Sequence, residues 1–81
     1  MRRVAWQELR DVCKLLGCVE DRTKGDHLIM TKPRMARPVV IVMAKELGED
    51  IVRTNMHTLE ISRKEFEQYL NTVRRKRKKK R

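Results

Sequence analysis

Residues that punctuate or cross-link a chain are scarce here: among 81 residues there are three glycines, two prolines, two cysteines and three aromatics. No stretch approaches the roughly eighteen consecutive apolar residues of a membrane-crossing helix. Met1-Arg2-Arg3 is not followed by the apolar core of a secretory leader. The expectation is therefore a soluble, cytoplasmic protein with no membrane partner. Cys13 and Cys18 stand five apart and belong to no CxxC pair, which points to reduced thiols rather than a disulfide framework. A zinc site drawn from Cys13, Cys18, His27 and His57 fits no tetrahedral ligand spacing. A Gly-rich phosphate loop, a paired-carboxylate site, a serine triad and internal repeats are all missing. Those chemistries have no residues to carry them, and neither a metal nor a small-molecule cofactor is called for.

What the sequence has in quantity is positive charge, a formal +10 at pH 7. Residues 74–81 are all Lys or Arg and supply +8 of it, which leaves +2 for residues 1–73. Eighty-one residues suffice for one domain with one small core, so the expected division is a domain over 1–73 and a disordered basic tail over 74–81. Within the domain the excess sits in residues 22–37, where Arg22, Lys24, Lys32, Arg34 and Arg37 face only Asp26. That segment contains His27. Clustered cations suit a polyanion such as RNA, because phosphate contacts release counterions. A solvated hairpin with ordinary surface charge would have the same composition, and composition leaves the two readings open.

The apolar pattern gives an α+β order of elements. From Val4 to Leu16, Ala5, Trp6, Leu9, Val12, Cys13 and Leu16 recur at helical spacing, with Gly17 as the stop. On that stripe Trp6 reads as a packing residue before a base-stacking one. Cys18 to Arg22 reads as an edge strand, Thr23-Lys24-Gly25-Asp26 as a turn, and His27 to Thr31 as a strand. In that strand His27, Ile29 and Thr31 share one face, and Leu28 and Met30 the other. Pro33 and Pro38 bracket a connection carrying Arg34 and Arg37. The β-branched run Val39–Met43 is expected at the sheet centre. Glu49 and Asp50 open a second helix that runs to about Thr58. Ser62-Arg63-Lys64-Glu65 is a capping box for a third, whose stripe is Phe66, Tyr69, Leu70 and Val73.

Three groups of residues carry a resemblance. They are Lys24-Gly25-Asp26-His27 with the strand after it, Arg37-Pro38-Val39-Val40-Ile41, and Ile51 to Thr58 leading to Ile61-Ser62-Arg63-Lys64-Glu65-Phe66. In this order and at these spacings they resemble the HicA toxins of toxin-antitoxin pairs, over nearly everything from Trp6 to Leu70. The resemblance implies a small α-β-β-β-α domain similar to the double-stranded-RNA-binding fold. A three-stranded antiparallel sheet would carry the helices on one face, with an extra helix at the C-terminus. It further implies an mRNA interferase neutralised by a HicB-like antitoxin protein, with the histidine of the Gly-x-His triplet, here His27, as the catalytic residue. Asp26 stands where serine is common in that family, Val42 where proline is common, and His57, Leu59 and Glu60 where Arg, Ala and Gly are frequent.

RNA carries its own nucleophile in the 2′-hydroxyl, so cleavage asks for a base, positive charge around the phosphorane, and alignment. Histidine suits the first task near neutral pH. Arg22, Lys24, Lys32, Arg34 and Arg37 are the candidates for binding RNA. His57 reads as a surface residue with no constellation around it. The alternative from another class is a non-catalytic RNA-binding module that holds RNA by shape and phosphate contacts. A DNA-binding regulator has thin support, since the second helix offers only Arg53 and Asn55 for base contacts.

Overall fold

The structure, a computed structural model, describes residues 3–79, with side chains through Lys76. Its elements follow in the order α1 (Trp6–Leu15), β1 (Val19–Lys24), β2 (His27–Thr31), β3 (Val39–Val42), α2 (Glu49–Leu59) and α3 (Arg63–Lys79). This is the α-β-β-β-α arrangement with an additional C-terminal helix.

The sheet is an antiparallel meander in the order β1-β2-β3. Two short connections between consecutive strands put β2 in the middle, so Val39–Val42 is an edge strand and not the centre that its β-branched run suggested. The reason is visible in its alternation: Val39 and Ile41 are buried, whereas Val40 is exposed. An unbroken apolar run here means one face on the core and one face left open, not burial on both sides.

Leu28 and Met30 of β2 and Val39 and Ile41 of β3 pack under the helices with Leu9, Val12, Cys13, Val52, Met56, Phe66, Leu70 and Val73. Each of the larger fully buried side chains is worth on the order of 1.5–3 kcal/mol in area removed from water. The opposite face of the sheet carries His27, Ile29 and Thr31 of β2, beside their cross-strand partners. No helix covers it. All six residues of β1 are exposed, so β1 is an edge strand outside the core, while its hairpin partner β2 contributes Leu28 and Met30 to it.

Two capping arrangements set the helix starts. Ser62 Oγ accepts from the Glu65 N–H at 3.1 Å while Glu65 Oε1 accepts from the Ser62 N–H at 2.9 Å, the reciprocal pair that the sequence predicts. At α1 the Ala5 N–H donates to Glu8 Oε1 at 3.0 Å, so only half of such a box is present. Glu8 has a second role, because Arg74 donates to it through Nε at 2.7 Å and Nη2 at 3.1 Å. The same Nη2 reaches the Arg3 carbonyl at 2.9 Å.

That last contact corrects the expected division at residue 73. α3 continues past Val73 to Lys79, and Arg74 is a tie between the two ends of the chain rather than the first residue of a disordered tail. A helix already nucleated by a packed stripe propagates into neighbouring Lys and Arg, which are good helix formers, despite their mutual repulsion. Residues 80 and 81, the rest of the expected tail, lie outside the described residues.

Candidate active site at the β1–β2 hairpin

The hairpin is closed by a two-residue loop, Gly25-Asp26, between the paired residues Lys24 and His27. Gly25 has φ +60° while Asp26 keeps a negative φ, the pattern of a type II′ turn with its glycine at the first central position. The turn is therefore two residues shorter than predicted, and β1 runs on to Lys24. A β-carbon at Gly25 would touch nothing within 4 Å, so the demand for glycine comes from the backbone angle alone.

This turn sets His27 at the open end of β2, between Lys24 on β1 and Val42 on β3. The Asp26 carbonyl accepts from the Met43 N–H at 2.8 Å, which extends the ladder one step past His27 and fixes its backbone from both sides. The imidazole is 47 % exposed, and its Nδ1 lies 3.0 Å from Asp26 Oδ1. The two groups stand at ion-pair distance without an aligned hydrogen bond, so the carboxylate lies beside the ring and does not select its tautomer. Directly opposed residues have β-carbons about 4.5–5.5 Å apart, which brings the Lys24 side chain onto the same face as the ring.

The register assigns the expected cations to different places. Arg22 pairs with Ile29, two residues along the face that bears His27, and its Nη1 is 3.2 Å from Asp21 Oδ2. Asp21 is the extra residue of a bulge between Glu20 and Arg22; without it Arg22 would point to the helix side. Lys32, Arg34 and Arg37 follow the other end of β2. Five residues of strand at about 3.3 Å each put about 13 Å between its ends, so these three do not surround His27 as their nearness in sequence suggested. An antiparallel strand sends residues on either side of it to opposite ends.

Lys32 also has other work. Its Nζ donates to the Leu16 carbonyl at 3.3 Å, closing the C-terminus of α1, where a cation is favoured. It lies against Cys13 and Cys18, which are both buried and reduced. Burial pushes the Cys13 thiol up to about 12, the neighbouring Cys18 adds to the rise, and Lys32 opposes it. Burial raises Cys18 in the same way, partly offset by Lys32. Both thiols are thus poor nucleophiles at neutral pH.

His57, expected as a lone surface residue, is exposed on α2 and lines a cleft with Arg37 and Glu60. Its ring and that of His27 lie at opposite ends of the sheet, so they form no acid-base pair. Among the described residues no group of three His, Cys, Asp or Glu side chains gathers as metal ligands. No helix of the described residues is long and apolar enough to cross a membrane.

Compared with family models, curated proteins and solved structures, the chain matches none.

Proposed function

We propose that the protein is a metal-independent endoribonuclease, the toxin of a toxin-antitoxin pair, which cleaves mRNA with His27 as general base and is neutralised by a HicB-like antitoxin. The observation that carries the reading is the exposed imidazole at the open end of β2, with the Asp26 carboxylate 3.0 Å away and Lys24 as its cross-strand partner. A ring whose backbone is paired on both sides meets substrate at a defined place on the sheet. The HicA resemblance of the surrounding segments supplies the substrate class and the partner.

In this reaction a ring nitrogen of His27 takes the 2′-hydroxyl proton, the 2′-oxygen attacks the adjacent phosphorus, and the bond to the 5′-oxygen breaks. The 5′-oxygen takes a proton from solvent, leaving a 2′,3′-cyclic phosphate and a 5′-hydroxyl end. Lys24 and Arg22 are the cations on the face of the imidazole, and they oppose the charge that builds on the phosphorane. Arg34 and Arg37 are assigned to binding RNA beyond the cleavage point. Lys32, engaged with α1, contributes only to the general potential. One positioned base supplies about 10² to 10⁴ in rate, so turnover is slow.

The test is incubation of the purified protein with a transcript in EDTA, scored for new 5′-hydroxyl ends. Native protein is expected to produce them and His27→Ala to produce none, with the circular dichroism spectrum retained. Undiminished cleavage by His27→Ala would falsify the assignment. Binding without cleavage by the native protein would instead favour the alternative, a non-catalytic RNA-binding module. The observation in its favour is that Arg34 and Arg37 lie far from the histidine.

A further inference from the structure

A second cationic surface forms where the β2–β3 connection meets the corner between α2 and α3. Arg37 from the connection, His57 and Glu60 from the end of α2, and Ile61 from the corner line a cleft of about 520 Å³. Such a volume lies within the range of about 300–1,000 Å³ usual for ligand pockets. An adjoining hollow shares His57 and Ile61 and adds Arg53 and Arg63. Arg37 thus lines one hollow and Arg53 and Arg63 the next, with His57 and Ile61 shared between them and Glu60 the one acidic side chain in the two linings.

These guanidiniums are available to a ligand. Arg37 has no carboxylate partner among the described residues. Arg53 stands 3.9 Å from Glu49 and 4.0 Å from Asp50, and Arg63 stands 3.6 Å from Glu67, with both arginine side chains more than half exposed. Exposed pairs of that length contribute little to stability, so a phosphate can replace them at small cost. The planar fork of arginine meets phosphate oxygens two at a time. The two helix ends that meet here have opposite partial charges, α2 presenting carbonyls and α3 its amides, so the arginines decide the sign of the potential. Met56 and Ile61 provide an apolar floor.

We propose that these two adjoining hollows form a phosphate-binding anchor for the RNA backbone, distinct from the cleavage point at His27 and beyond the far end of β2. It rests on the reading of the protein as an RNA-binding nuclease and adds to it that productive substrate spans the sheet. A single strand seated in the cleft reaches His27 only across at least the length of β2, about 13 Å. A mononucleotide therefore cannot touch both points.

The experiment uses the full chain with His27→Ala, titrated with a short labelled single-stranded RNA over a range of salt. Adding Arg37→Ala, Arg53→Ala and Arg63→Ala is expected to weaken binding at least tenfold. The slope of log affinity against log salt should fall by about 2, at roughly 0.7 for each phosphate that is no longer neutralised. The matching triple lysine variant guards against a folding defect and should keep the slope at a somewhat reduced affinity. An unchanged slope and affinity in the triple alanine variant, with its thermal melt intact, would overturn the anchor whatever the cleavage assay gives. A cleft-dependent slope without any cleavage by the native chain would keep the anchor and remove the nuclease. Failure of the parent chain to bind RNA at all would remove both.

Discussion

At the scale of single residues, Asp26 places a carboxylate 3.0 Å from the His27 ring. Both side chains are exposed, so the charge beside the ring is screened. Asp26→Asn keeps the shape and removes the charge. We expect its kcat to fall by up to about tenfold, equivalent to about 1.4 kcal/mol in the barrier, with KM unchanged. A proportional rise in KM with constant kcat would mean that Asp26 binds substrate instead. The histidine itself was legible in the sequence, because a glycine two residues earlier and an apolar strand after it marked a hairpin. The assignment of five cations to it was not, because the register and the direction of β2 separate Lys32, Arg34 and Arg37 from the ring.

At the scale of elements, the two ends of the chain are joined by one guanidinium. Arg74 holds Glu8 with two hydrogen bonds and the Arg3 carbonyl with a third, and the hydrogen bonds to Glu8 raise its pKa further above the ordinary arginine value. Both side chains of the pair are largely covered, at 28 % and 16 % exposure, so the bond is less screened than a surface pair. Arg74→Ala is expected to cost about 1–3 kcal/mol, read as a fall in Tm of about 4–8 °C per kcal/mol for a chain of this size. A double-mutant cycle with Glu8→Ala should return a coupling above about 0.5 kcal/mol; additive effects would show that the tie does not stabilise the fold. Nothing in residues 74–81, eight cations in a row, distinguishes the first from the rest. Its role depends on the α3 stripe Phe66, Leu70 and Val73 packing in the core and so setting the rotation of the next turn.

At the scale of the molecule, the helices shield one face of the sheet and leave the other with His27, Lys24, Arg22 and Val40 toward solvent. The helix side holds the two thiols, and their burial gives a pH dependence with a definite sign. Below pH 9 folded and unfolded chains both keep the Cys13 proton, and the stabilisation is complete. Between 9.0 and about 12 the unfolded chain releases it while the folded chain does not. The folded state then binds more protons and stability falls as pH rises. Denaturant midpoints measured from pH 8 to pH 11 should decline for the native protein and decline less steeply for Cys13→Ala; parallel curves would place the loss in other groups.

Sequence alone determined the kinds of elements and their order: a 3.6-residue apolar period in α1 and α3, a two-residue period in β2, a glycine at the hairpin and a serine-glutamate cap at α3. These are local requirements, met within a few residues of backbone. Tertiary structure alone decided which strand lies in the middle of the sheet, which cations share a face with His27, and that Arg37 lines a hollow adjoining that of Arg53 and Arg63. Those outcomes depend on strand direction, register and helix rotation, which are fixed when separate apolar faces pack into a common core, so neighbours in sequence can be driven to opposite ends of the sheet.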